Sequence, residues 1–178
     1  MKNISWIILP LACLFMVACS SDDDNGGSPL PDSSASFTIS GDIEGEKTGL
    51  ASAILVESAG TYIFDIGMSD AAGGGQTFSL SFFIGPSDEE IEVPEPGDYT
   101  IATTNAGDFW VVYTELEGVD GREYGSIWET SGTMTITASG DDFIEGEFEF
   151  EAAGDPDDAL EPQGSITVTN GEFRAEVF

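Results

Sequence analysis

From Ser36 to the end of the chain, apolar and polar residues alternate with a period of two, and this constrains the fold more than any other feature. Phe37, Ile39, Gly41 and Ile43 fall on one side, with Thr38, Ser40, Asp42 and Glu44 on the other. Phe78, Leu80 and Phe82 repeat the pattern, as do Met134, Ile136 and Ala138. Ile144, Gly146, Phe148, Phe150 and Ala152 alternate with Glu145, Glu147, Glu149 and Glu151. Ile166 and Val168 follow, then Phe173, Ala175 and Val177 between Glu172, Arg174 and Glu176. Side chains on a strand point to opposite faces in turn, so such runs describe antiparallel strands with one face buried. No stretch sustains a helical period.

Turn residues punctuate these runs. Asn170-Gly171 predicts a type I′ hairpin, Ser139-Gly140-Asp141-Asp142 a second and Ser58-Ala59-Gly60 a third. Ala71 to Gly75 is a glycine-rich connection, and Pro86 to Gly97 a longer acidic loop. About ten short strands are expected, near 36–43, 49–57, 61–68, 77–84, 98–103, 109–115, 123–129, 132–138, 143–152 and 164–178, the last divided by its turn. The expected fold is all-β: an antiparallel β-sandwich or flattened barrel spanning 36–178.

The N-terminus is of another kind. One cation, Lys2, precedes an apolar run from Ile4 to Ala18, broken by Ser5 and Pro10. As a helix that run reaches roughly 22 Å, short of the ~30 Å hydrocarbon core. It has the length of a signal-peptide apolar region. It ends in Met16-Val17-Ala18-Cys19, which resembles a lipobox, where small residues precede a cysteine that is acylated before cleavage. The resemblance implies removal of 1–18, cleavage between Ala18 and Cys19, and lipidation at Cys19. Met16 departs from the usual Leu. Cys13, with Pro10 in the equivalent place, fits less well. Two or more acyl chains would anchor the protein stably to a membrane, at ~0.8 kcal/mol per buried CH₂.

Residues 19–35 read as a lipidated cysteine and an acidic tether rich in Gly, Ser and Pro, with almost nothing to bury. A flexible linker of this length reaches about 20–24 Å. The run Asp22-Asp23-Asp24 resembles the export signal that sends lipoproteins of Bacteroidota to the outer face of the outer membrane. It lacks the alternate ligand spacing and distal Glu of an EF-hand loop. The stretch 96–178 also resembles uncharacterised Bacteroidota lipoprotein domains. The likeness rests on Pro96-Gly97-Asp98-Tyr99-Thr100-Ile101, Met134-Thr135-Ile136-Thr137, Gly146-Glu147-Phe148-Glu149-Phe150, Gly164 and Val168-Thr169-Asn170-Gly171-Glu172-Phe173. These are turn glycines and core aromatics, so the resemblance implies a fold and an outer-membrane address facing the cell exterior, with the periplasmic face as the alternative, and no active-site residues.

Charge and composition exclude several functions. There are 34 Asp and Glu against 4 Lys and Arg, a formal net charge of −30. With Lys2 in the leader, only Lys47, Arg122 and Arg174 remain as cations. Such a chain repels phosphate polymers, so nucleic acid is not an expected partner. The sequence has no His, and its 2 Cys, at positions 13 and 19, both precede the domain. The domain therefore has no disulfide, no His or Cys metal ligand, no His base and no Cys nucleophile.

Four constellations remain. The first is the ladder Glu145, Glu147, Glu149 and Glu151, whose alternate members lie about 6.6–6.8 Å apart, near the carboxylate separation of inverting glycosidases. Its plain reading is a solvated outer face that also discourages edge aggregation. The second is Asp155, Asp157, Asp158 and Glu161, which offer oxygen ligands suited to Ca²⁺ at a spacing that matches no specific loop. The third is the group Trp110, Tyr113, Tyr124 and Trp128. Phe109, Val111 and Tyr113 share one strand face, so Trp110 points the other way, and Trp110 and Trp128 are the candidate ligand platform. The fourth comprises the cations: Lys47, in Gly45-Glu46-Lys47-Thr48-Gly49, reads as a turn flanked by charge, and Arg174 as relief between acidic strands. The expected function is a non-enzymatic binding or structural module displayed on a lipid anchor, with a cell-surface glycan or a protein as partner and no cofactor beyond the Ca²⁺ candidate. The alternative is a small carboxylate-dependent glycan hydrolase or glycan-binding accessory module.

Overall fold

A computed structural model describes residues 33–70, 76–103, 107–117, 120–125, 129–154 and 162–178. Within them the chain forms ten strands and no helix: β1 (Ser34–Gly41), β2 (Gly45–Ser58), β3 (Thr61–Ser69), β4 (Phe78–Ser87), β5 (Gly97–Ala102), β6 (Trp110–Glu117), β7 (Asp120–Gly125), β8 (Thr130–Ser139), β9 (Phe143–Ala153) and β10 (Ser165–Val177). They make one continuous sheet in the order β5-β8-β9-β10-β1-β2-β3-β4-β6-β7. All neighbours are antiparallel except where the end of β10 runs parallel to β2, at Glu176↔Ser52 and Val177↔Ala53, past the start of the shorter β1. β1 begins at Ser34, inside the stretch assigned above to the tether, because buried Ala35 continues the inward phase of Phe37 and Ile39.

The sheet curls strongly over itself, and its two edges turn back toward it. Ile101 of β5 bridges Phe109 just before β6, and Tyr124 of β7 bridges Gly154 just after β9. Curling shelters edge strands that would otherwise offer unpaired backbone groups. It also lets both halves of the sheet bury their inward residues in a single core. Phe148 of β9 is a hub of that core. Its ring lies 4.9 Å from Phe82 of β4, 5.9 Å from Phe37 of β1 and 6.3 Å from Phe173 of β10. Burying rings of this size is a large favourable contribution to the core.

Two expected hairpins are present. Ala59 and Gly60 both have positive φ, 55° and 80°, between the closing pair Ser58↔Thr61. This is the two-residue geometry that suits strand twist. Gly140 joins β8 to β9, its N–H donating to the Phe143 carbonyl at 2.9 Å. The third expected hairpin is corrected. Asn170-Gly171 lies inside an unbroken β10, and the segments on both sides of it pair with β9 and β1 instead of with each other. The pair forms a bulge. The register slips between Val168 and Gly171, and Asn170 takes φ 52°. One extra residue moves the inward set from Ile166 and Val168 to Gly171, Phe173 and Ala175. Asn tolerates the left-handed conformation, and glycine is needed next because a Cβ at 171 would sit 2.5 Å from the Phe148 ring. A phase change beside Asn-Gly has the same sequence signature in a turn and in a bulge.

Candidate functional site

The curled sheet has one packed inside and a convex outside, and the outside differs along its length. On β8, β9, β10 and β1 it is acidic and hydroxylated. Glu147 stands opposite Thr135 and Glu172, Glu149 opposite Thr133, and Glu151 opposite Ser131 and Thr167. Glu147, Glu149 and Glu151 are all exposed. Glu145 is tied to Arg174, whose Nη1 lies 2.6 Å from its Oε2 and whose guanidinium sits 4.5 Å from the Phe143 ring centroid. Arg174 thus offsets repulsion between the two acidic strands. The ladder lies on a convex, solvated surface.

On β2, β3, β4 and β6 the outside is different. Successive cross-strand rows read Leu50-Ser69-Ser79-Thr114, then Ser52-Gly67-Ser81-Val112, then Ile54-Asp65-Phe83-Trp110. In the third row the neighbours are directly opposite one another across four strands, where facing side chains touch. The serines and Gly67 leave a shallow depression of about 410 Å³, with Leu50 and Phe178 beside it. Leu50 is 52% exposed and Phe178 70%, and Ile54 and Val56 are exposed as well. Hydrophobic exposure is therefore concentrated on this half.

Asp65 is the charged member of the third row. Ile54 faces it from β2 and Phe83 from β4. Burial raises its pKa above the ordinary carboxylate value, and a hydrogen bond from the Ser81 side chain partly opposes that rise. Its Oδ1 atom is buried and has no hydrogen-bond partner. An ionised oxygen shut away from water without a donor is costly.

Trp110 lies where the alternation placed it. Phe109, Val111 and Tyr113 are buried, and Trp110 is half-buried on the outer face. Its ring stacks on Phe83 at 4.2 Å and 22°, and its indole N–H donates to the Gly85 carbonyl at 2.9 Å. One ring face and the polar tip are thus already engaged. Trp128 lies outside the described residues, as do Ala18, Cys19, Asp22, Asp23 and Asp24. The Ca²⁺ candidates Asp155, Asp157, Asp158 and Glu161 also lie outside them. Among the described residues no cluster of three or more carboxylates is arranged to hold a metal ion.

Lys47 requires a second correction. It lies within β2, not in a turn, and in the inward phase of that strand. Its Nζ donates to both carboxylate oxygens of Glu115 on β6, at 2.7 and 2.9 Å, and lies 5.7 Å from the Phe78 ring centroid. The buried Tyr113 hydroxyl donates to the same carboxylate. Burial first, then the hydrogen bond and charge of Glu115, drive the Tyr113 pKa far above the ordinary phenol value. The pair joins strands that are not neighbours in the sheet, across the inside of the curl. Sequence reasoning missed it because Gly45 and Gly49 disguise a strand as a turn. The one available signal was the phase, since Lys47 keeps step with Ala51 and Ala53.

No protein-family model, curated protein or solved structure matches this chain.

Proposed function

We propose that this chain is a lipid-anchored, cell-surface binding module of the kind found in Bacteroidota, with no catalytic role of its own. The anchor is Cys19, exposed by cleavage after Ala18, and Asp22-Asp23-Asp24 is the export signal that carries the protein to the outer face of the outer membrane. A short acidic tether then holds the β domain just off the membrane. The observation that carries the binding role is the division of the outer surface. One half is a solvated acidic face, and the other gathers exposed apolar side chains around a single half-buried carboxylate. Concentrated apolar exposure marks interaction surfaces. A glycan hydrolase would need paired carboxylates in a concave site, one with a raised pKa. The Glu145–Glu151 ladder lies instead on a convex solvated surface, which favours the binding role.

Expression of the full chain and of Cys19→Ala in a Bacteroidota host tests the anchor. The parent chain should fractionate with the outer membrane, carry acyl mass on its first residue and be shaved from whole cells by added protease. Cys19→Ala should be lost from the membrane fraction. A Cys19→Ala protein that stays membrane-bound would refute the lipid anchor, and a parent domain protected from protease would refute surface display.

A further inference from the structure

We infer that the row Ile54-Asp65-Phe83-Trp110 is the docking surface for a lysine- or arginine-bearing segment of another polypeptide. This deepens the binding role proposed above and rests on it. Three observations select that occupant. Asp65 is a half-buried carboxylate with no cation among the groups that act on it, and an ammonium or guanidinium group seated over the row would supply the counter-charge. Ile54 on one side, with the Phe83–Trp110 stack on the other, offers apolar contact to the aliphatic stem of such a side chain. The net charge of −30 draws cationic segments toward the domain and repels anionic ones.

Other occupants fit less well. A second copy of this chain has little cation to offer, because Lys47 is held by Glu115, Arg174 by Glu145, and Arg122 reaches the Tyr124 hydroxyl. A neutral sugar would need an open ring and a free indole N–H. Trp110 has one face against Phe83 and its N–H bonded to Gly85.

The test uses the full chain in detergent and a fluorescent peptide of alternating Leu and Lys. The peptide should bind, and hydrogen exchange should slow along β3 and β4 when it does. Asp65→Asn should weaken binding by about tenfold or more, through the loss of a partly desolvated counter-charge. Glu149→Gln, which removes one charge from the other half, should change it less than about twofold. Equal weakening by both variants would reduce the effect to bulk charge and overturn the assignment, and so would the absence of binding. Protection of β3 and β4 by maltohexaose in place of the peptide, or dimerisation that buries this row, would overturn it in favour of a sugar or a second copy. Each of these outcomes leaves the anchor test on Cys19 unaffected, so the two claims fail separately.

Discussion

The two halves of the sheet share one core but face solvent with opposite chemistry. On β8, β9, β10 and β1 outward carboxylates and hydroxyls alternate with inward rings, and the one cation, Arg174, is spent on Glu145. On β2, β3, β4 and β6 the outward positions carry mostly serines, aliphatics and stacked aromatics, and the carboxylate of Asp65 among them is half-buried. The first half keeps its charges in contact with water, and Arg174 offsets part of their repulsion. The second tolerates a buried acceptor without a donor and leaves Leu50 and Phe178 exposed, both unfavourable for an isolated domain. Under the binding role proposed above, a cost confined to one half of the fold marks that half as the surface that would meet a partner.

Four single substitutions and one double variant would break or sharpen this contrast. Phe148→Ala removes the ring that joins the halves and should cost about 3–5 kcal/mol. Urea unfolding would read it, and a loss below about 1 kcal/mol would show that the halves pack independently. Glu115→Gln leaves Lys47 inside the curl without its counter-ion and should cost about 2 kcal/mol by the same measurement, whereas Lys47→Met with Glu115→Leu should restore most of the loss.

Asp65→Asn should have the opposite sign. Burial raises the folded-state pKa of Asp65 above its unfolded value near 3.8. The folded protein therefore holds this proton more tightly, and the group costs stability above that value as pH rises through the folded pKa. Removing the charge should stabilise the domain at pH 7. The gain should be under about 1 kcal/mol after solvent screening, at most about 2–4 °C in Tm. The gain should vanish below pH 3.8, and a variant less stable than the parent at pH 7 would mean that the hydrogen bond from Ser81 outweighs the burial of Asp65. Glu149→Gln, on the solvated half, should change stability by less than about 0.5 kcal/mol at any pH from 5 to 8. A larger gain, abolished by salt, would show that repulsion on the acidic half is a strain the fold carries.

Much of the architecture was legible because a strand with one buried face writes its burial directly into residue order. Phe78, Leu80 and Phe82, or Ile144, Phe148, Phe150 and Ala152, could be assigned to the inside from alternation alone, and each is buried. Trp110 could be placed outside by the same rule. Two local readings failed, for physical reasons. Asn170-Gly171 favours left-handed backbone equally in a turn and in a bulge, and the choice fell to β9 and β1, which pair with both of its flanks. Gly45 and Gly49 made Lys47 resemble a turn residue, and only its partner on β6 shows why a cation belongs on the inner face.

Residue order alone determined that the domain is antiparallel sheet, which residues line its core and that its charge is overwhelmingly negative, because period-two patterning and composition are local quantities. Tertiary structure alone decided that Ile54, Asp65, Phe83 and Trp110 stand in one row and that Lys47 meets Glu115. Those meetings depend on strand order, register and curl, which bring together residues far apart in the chain, and the interactions that set them act between strands, where no single segment records them.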